Sequence, residues 1–442
     1  MTQLAQEKTD ASRPMSQGSG HRSEVENRKT LVSDRSSVIG PPTLSVALLT
    51  GGGDKPYALG MAAALTSEGI SVDFIGSDDL NVPEVVTNPR VNFLNLREDQ
   101  RSEASAMAKL RRVSKYYLRL FGYAATAQPK LFHLLWNNKF ELFDRTLLML
   151  YYKLLGKRVV FTAHNVNAGK RDQNDSRLNR ISLKIQYGLT DHIFVHTAKM
   201  KRELEFDFGI QKEKVSVIPF GINNTVPNTG LSCAEARRQL GLNTNDKTLL
   251  FFGNIAPYKG LEYLIAAFSE LLKEDRSYRL MIVGNPKQSR HYWRAIQQTI
   301  ASARLSDRII EKIEYIPDAQ TEFYFKAADI LILPYAHVFQ SGVLILGYSF
   351  GLPAIAADVG TLKDEIVEGQ TGFVFKPQDS SDLANKIDEY FKSDLFRNLE
   401  TRRLEIKKHA NERYSWDKVA ATMTKVYSDL LYSTKVQRLG DV

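Results

Sequence analysis

From residue 43 onward, short apolar runs alternate with longer stretches in which apolar positions recur every three or four residues. The first run, 44–50, leads into Gly51-Gly52-Gly53 and a helical pattern up to Glu68. Runs at 71–75, 130–136, 158–163, 192–196 and 215–219 continue the series, with an apolar helical stretch over 141–155. Strands separated by helices predict parallel βαβ units, and continuously apolar strands predict burial on both faces. The polar, turn-rich segment 227–232 reads as a linker, after which the pattern restarts. Strands are predicted at 248–252, 279–283, 313–316, 330–333, 354–356 and 373–375, with an amphipathic helix at 261–272. A last helix, about 416–431, follows the second set of strands. The expected fold is α/β, with two doubly wound, Rossmann-like domains. Ligands in such folds bind at the carboxyl ends of the strands, so the expected site is the cleft between the two domains. The divisions expected are a polar leader over 1–43, a first domain over 44–225, a second over 226–415, and a C-terminal helix and tail over 416–442 that packs back on the first domain.

Length agrees with this, since 442 residues exceed what one core usually organises. The single cysteine, Cys233, excludes an intrachain disulfide and fits a reducing compartment. Residues 1–43 are polar, lack the apolar core of a signal peptide and read as disordered. The longest uncharged run, 336–357, contains four Gly and Pro positions and reads as helix, turn and strand rather than a membrane span. The net charge of +9 is uneven: 44–225 holds 25 basic and 18 acidic residues, and 226–442 holds 28 and 27. A basic first half points to an anionic surface or acceptor there, against the alternative of ordinary surface imbalance.

Four places carry candidate chemistry. Gly51-Gly52-Gly53 lies between a strand and a helix, where glycine allows close backbone approach and the helix N-terminus favours an anion. It is not a G-x-G-x-x-G fingerprint, and no clear acidic ribose partner follows the second strand. Gly253-Asn254-Ile255-Ala256-Pro257-Tyr258-Lys259-Gly260 repeats this context in the second domain. Lys259 could bind a diphosphate there, the alternative being an ordinary surface lysine. Gln340-Ser341-Gly342-Val343 opens the uncharged helix and could cradle phosphate with backbone N–H groups. His164 closes a strand and could donate to a phosphate or sugar hydroxyl, or be structural. No metal-binding pattern is present.

Taken in order, these segments resemble glycosyltransferase family 4 over about 44–430. Further carriers are Thr162-Ala163-His164-Asn165, Val217-Ile218-Pro219-Phe220-Gly221-Ile222-Asn223, Tyr315-Ile316-Pro317-Asp318, Ala327-Ala328-Asp329-Ile330, Phe350-Gly351-Leu352-Pro353-Ala354-Ile355-Ala356 and Gly369-Gln370-Thr371-Gly372-Phe373. The resemblance implies a GT-B fold and metal-independent, retaining transfer of a sugar, a hexose in particular, from a nucleotide-sugar donor, with no cofactor. It matches Lys259 and His164 to catalytic positions. It matches Gly52, Gly53, Gly253, Asn254, Gln340, Ser341, Gly342 and Val343 to donor binding. Three positions depart from the family: Asn254 replaces an arginine, and Val338 and Leu346 replace glutamates that commonly bind the donor sugar and ribose. Neither Val nor Leu can accept those hydrogen bonds.

No side-chain nucleophile is evident, so leaving-group stabilisation and positioning are the expected sources of rate. Segment 109–123 interleaves Lys109, Arg111, Arg112, Lys115 and Arg119 with Tyr116, Tyr117, Phe121 and Tyr123. That pattern suits an anionic membrane surface, or a helix with a basic solvent face. The acceptor is then expected to be a saccharide or lipid-linked saccharide in cell-surface polysaccharide or glycolipid synthesis, at the inner face of the cell membrane. Nucleic acid is not expected, since no binding motif accompanies the charge. The rival readings are a non-catalytic GT-B subunit, favoured by the three departures, and another GT-B class such as an epimerase or phosphorylase.

Overall fold

A computed structural model describes residues 44–100, 105–171, 175–222, 226–286 and 289–439. The leader expected over 1–43, Asn223 and the last three residues lie outside the described residues.

The first sheet comprises β1 (Ser45–Leu49), β2 (Ser71–Gly76), β3 (Val91–Asn95), β4 (Leu131–Leu134), β5 (Arg158–Ala163), β6 (His192–Val195) and β7 (Val215–Val217). Its seven strands lie in the order β3-β2-β1-β4-β5-β6-β7, all pairs parallel. The second sheet comprises β8 (Lys247–Phe252), β9 (Tyr278–Val283), β10 (Ile309–Lys312), β11 (Ile330–Leu333), β12 (Ala354–Ala357) and β13 (Gly372–Phe375). These six run parallel in the order β10-β9-β8-β11-β12-β13. Each sheet reverses its winding once, between β1 and β4 and between β8 and β11. Helices leave to opposite faces at such a point and open a crevice at the carboxyl ends of the strands.

Burial explains which strands are central. β4, β6, β11 and β12 are buried at every position, as parallel strands covered on both faces must be. The edges account for the departures from the sequence reading. The strand expected at 313–316 is formed instead by Ile309–Lys312, which pairs with Leu280–Val283. Both windows mix apolar with charged residues; pairing, not pattern, chose the earlier one, and an edge tolerates Glu311 and Lys312. β3 was not anticipated, because Asn92 and Asn95 disfavour strand and no position of it is fully buried. Asp78 and Asp79 do follow β2 directly, contrary to the sequence reading, and Asp78 is engaged by Asn95.

The helix Trp416–Leu439 leaves the second domain and enters the first. Val419, Met423 and Tyr427 join the core cluster containing β1, β2 and the helix Lys55–Ser67. Trp416 Nε1 donates to Ile222 O at 2.9 Å, and its ring fills space left by Gly60 and Gly221, where a Cβ would overlap it. Tyr427 OH meets His133 Nδ1 at 2.5 Å, and His133 Nε2 meets Thr162 Oγ1 at 2.7 Å, so one buried chain of hydrogen bonds joins this helix to β4 and β5.

Candidate active site

In the second domain the site is built at the sheet reversal. β8 ends at Phe252 and passes into Gly253, while neighbouring β11 ends at Leu333 and passes into Pro334 and Tyr335. Gly260 has φ of 63° and packs so closely on Pro334 O that a Cβ would overlap it, so only glycine closes this loop without strain. The closure turns Lys259 inward. It is not the surface lysine that the sequence allowed: only 6% of it is exposed. Its Nζ donates to Tyr335 OH at 2.6 Å and lies 4.4 Å from the centre of that ring. Tyr335 OH reaches Ser341 Oγ at 3.4 Å, and Ser341 caps the helix Gly342–Ser349 by accepting from Leu344 N. A Cβ on Gly253 would lie 3.4 Å from Val343 and 3.6 Å from Lys259 Nζ. The structure therefore brings Gly253, Lys259, Ser341, Gly342 and Val343 together. Gly342 and Val343 occupy the first helical turn, whose N–H groups have no partner within the helix.

Asn254 and Gln340 flank this cluster in the chain. Asn254 Oδ1 and Gln340 Oε1 are buried and have no hydrogen-bond partner among the described residues. Such atoms are costly to leave unsatisfied, which fits a site completed by a ligand. Leu346 is buried in the second core and Val338 packs against it, so neither position offers a polar group to a ligand. A cavity of about 300 Å³ opens at the carboxyl ends of β9 and β10, lined by Asn285, Arg290, Trp293, Arg294, Gln297 and Ile313.

The first-domain half is aromatic. Gly51 and Gly52 have φ of 59° and 80°, and Gly51 and Gly53 pack on Trp136, which follows β4 across the sheet reversal. The adjacent helix N-terminus differs from the sequence expectation. Asp54 caps it, accepting from Tyr57 N at 2.9 Å, so a carboxylate of the chain already takes an amide meant for an anion. What faces Gly52 instead is Arg97. A Cβ on Gly52 would overlap its guanidinium, which lies 5.2 Å from the Tyr116 ring and reaches Asn138 Oδ1 at 3.4 Å.

His164 stacks on Trp136 with centroids 4.2 Å apart and meets the edge of Tyr57 at 4.7 Å. Its role follows from a two-histidine relay. Burial pulls His196 down to about 4 and His164 well below the usual histidine range, so both rings are neutral near pH 7. His196 Nδ1 faces Ile218 O at 3.4 Å and must donate, since a carbonyl only accepts. Its Nε2 is then an acceptor, and His164 Nδ1 donates to it at 3.0 Å. His164 Nε2 is left as a buried lone pair with no partner among the described residues. The sequence allowed His164 to donate to phosphate; the relay makes it an acceptor for a hydroxyl. Phe220 links the two halves: it is 6.0 Å from His164 and 5.0 Å from Tyr57, and a Cβ on Gly342 would lie 3.7 Å from it.

Two family models match in tandem: Glycosyltransferase Family 4 over residues 51–225 and Glycosyl transferases group 1 over residues 233–413. The chain belongs to the group 1 glycosyltransferases. It is similar to the D-inositol 3-phosphate glycosyltransferase of Nocardia farcinica, 29% identical over 64% of this chain and 63% of that one. A second, from Acidothermus cellulolyticus, is 29% identical over 54% of each chain, so the match spans less than two thirds of either relative. Among solved structures, sucrose-phosphate synthase from Thermosynechococcus elongatus superposes with a TM-score of 0.70 at 20% identity, covering 88% of this chain and all of that one. The Anabaena protein HepE, solved with UDP-glucose, gives 0.67 at 16% identity, covering 87% of this chain and all of that one. These likenesses establish the GT-B fold of this glycosyltransferase-family chain: two Rossmann-like domains facing a cleft.

Trp136, Tyr335, His196, Phe220 and Arg97 are the site residues that sequence reasoning passed over. Trp136 and Tyr335 follow strands at the sheet reversals, the position already used for the glycines, so that rule could have found both. Among the described residues, no three His, Cys, Asp or Glu side chains converge as a metal-holding group.

Proposed function

We propose that the chain transfers a sugar from a nucleotide-sugar donor to a saccharide or lipid-linked saccharide, with retention at the anomeric carbon. The observation that carries this is Lys259, held by Tyr335 beside Gly253 and the open first turn of helix Gly342–Ser349. A fixed ammonium and free amides aimed at one point suit the charge that grows on a departing diphosphate. The cavity beside β9 and β10 takes the nucleoside end. His164 Nε2 accepts from a donor-sugar hydroxyl, and Asn254 and Gln340 supply the polar contacts that Val338 and Leu346 cannot. In the transfer, the acceptor oxygen bonds to the anomeric carbon as the bond to phosphate breaks. The acceptor's proton passes to the departing phosphate oxygen on the same face.

The test is a thermal-shift panel of UDP, GDP, ADP, TDP and their sugars, with UDP first because HepE was solved with it. A ligand at about 100 times its Kd stabilises the native state by about 2.7 kcal/mol. One nucleotide is expected to raise the melting temperature, and less so in Lys259→Ala. A folded protein that no nucleotide shifts would support the non-catalytic GT-B reading, which the residues at 254, 338 and 346 favour.

Arg97 beside Gly52 favours an acceptor that carries phosphate. The similar relatives are named for D-inositol 3-phosphate, and lipid-linked saccharides carry phosphate as well. With the nucleotide bound, D-inositol 3-phosphate is expected to add a shift in the wild type and none in Arg97→Ala if the acceptor is a phosphorylated polyol. The same shift in both proteins would remove Arg97 from this role.

A further inference from the structure

We infer that the outer face of three helices of the first domain docks on an anionic lipid bilayer. The helices are Ala106–Thr126, the stretch formed by Glu141–Phe143, Asp144–Leu148 and Met149–Leu154, and Arg177–Leu189. They lie side by side. Phe121 meets Tyr151 at 4.8 Å between the first and second, and Arg145 donates to Asn179 at 2.8 Å between the second and third. Their inner sides, including Leu120, Tyr152 and Leu183, fill the core cluster against β4 and β5.

The outer sides are apolar as well. Leu147, Leu150 and Leu154 are 62%, 45% and 77% exposed on the middle helix, and Leu178 and Ile181 are 58% and 57% exposed beside them. Of the 17 large hydrophobic residues exposed among the described residues, 12 lie on these helices or their immediate ends. Scattered exposed leucines are ordinary; concentration on one face marks an interaction surface.

Charge selects the partner. The first and third helices contain no Asp or Glu, and the three together carry ten basic and two acidic residues. One of the two acids, Asp144, is buried and accepts from Tyr117, and the other, Glu141, pairs with Arg145. Arg177, Arg180 and Lys184 are exposed around the leucine and isoleucine stripe. Arg180 pairs with Asp175 and Lys153 with Asp191, so the positive excess rests on the remaining bases, among them Arg177 and Lys184. Apolar side chains ringed by bases in excess over acids fit the boundary between acyl chains and anionic headgroups. A second copy of the chain would bring two positive faces together. The surface also differs from the one the sequence suggested. Within 109–123, Lys115 and Arg119 are paired with Glu98, and Arg112 donates to Asp99 O, so that helix contributes chiefly its outer stripe around Leu118, which is 72% exposed.

The test is vesicle sedimentation with the full chain. Pure phosphatidylcholine vesicles are compared with vesicles in which about a third of the lipid is phosphatidylglycerol. The expected result is binding to the anionic vesicles alone, weakened by salt, and weakened about tenfold or more by Leu147→Gln with Leu154→Gln and by Arg180→Glu with Lys184→Glu. Far-ultraviolet circular dichroism and melting temperature confirm that both variants fold, and the binding readout needs neither donor nor acceptor. Absence of binding by the folded wild type would overturn the inference. So would self-association that Leu147→Gln with Leu154→Gln abolishes while vesicles bind neither protein.

Discussion

Lys259→Ala is expected to lower turnover about 10²–10³-fold while the protein stays folded, which corresponds to about 3–4 kcal/mol of lost transition-state stabilisation. The size follows from the setting. Lys259 is buried, its Nζ is fixed by the Tyr335 hydroxyl and ring face, and Gly253 and the first turn of a helix lie beside it. A cation in so dry a place acts on developing charge without first reorganising water. The cost to folding is expected to be smaller, about 1 kcal/mol, since Tyr335 OH keeps Ser341 Oγ within 3.4 Å. Tyr335→Phe separates charge from positioning. It keeps the ammonium and the ring and removes the hydroxyl, so a loss of about tenfold in kcat is expected with native circular dichroism. The measurement is initial rate with whichever donor shifts the melting temperature, at saturation, on folded variants. Wild-type turnover in Lys259→Ala would mean that the diphosphate is held elsewhere.

Lys259 was legible in the sequence because the fold rule that names it is local: an apolar strand, a glycine, then a helix. The same rule drew the central strands, whose side chains are buried on both faces and read as unbroken apolar runs. It failed at β3 and β10, where one side of the strand is open and Asn92, Asn95, Glu311 and Lys312 break the run. The site divides in the same way. Gly253 sits in the loop at a strand end, and Ser341, Gly342 and Val343 form the start of a helix, so all four could be placed within one domain. Arg97 and His196 could not. The first reaches Gly52 from the loop after an edge strand, and the second acts only through His164, a contact between the ends of β5 and β6. Nothing in their own spacing announces either pairing. The carboxylate that caps helix Lys55–Ser67 stood in plain view at Asp54, but its effect depends on a bond to Tyr57 N that only the backbone geometry reveals.

The histidines that organise the first domain also set its response to acid. Burial lowers His133 to about 3 and His192 and His196 to about 4, each from an ordinary value near 6.5. The unfolded chain therefore binds protons at these positions before the folded protein does. Their contribution is complete above pH 6.5 and is lost as pH falls towards 4, at up to about 1.4 kcal/mol per pH unit for each histidine. Asp144 works in the opposite direction, because burial raises its carboxyl to about 6 and the folded form takes up that proton first. His164, lowered further still, acts with the three histidines, and Asp54, Glu203 and Asp329, raised by burial, act with Asp144. The histidines leave a net loss between pH 7 and pH 5, because their ordinary value lies inside that window and those of the carboxyls lie below it. The urea midpoint is expected to fall between pH 7 and pH 5, corresponding to a few kcal/mol. His133 should carry a visible share, since its buried ring joins Tyr427 on the C-terminal helix to Thr162 on β5, and its protonation turns the hydroxyl that donates to it into an acceptor. In His133→Gln, overall stability should be lower at pH 7 and the slope between pH 6.5 and 5 shallower. An unchanged slope would place the acid sensitivity outside this network, and an increase in the wild-type midpoint towards pH 5 would show that the carboxyls, not the histidines, dominate.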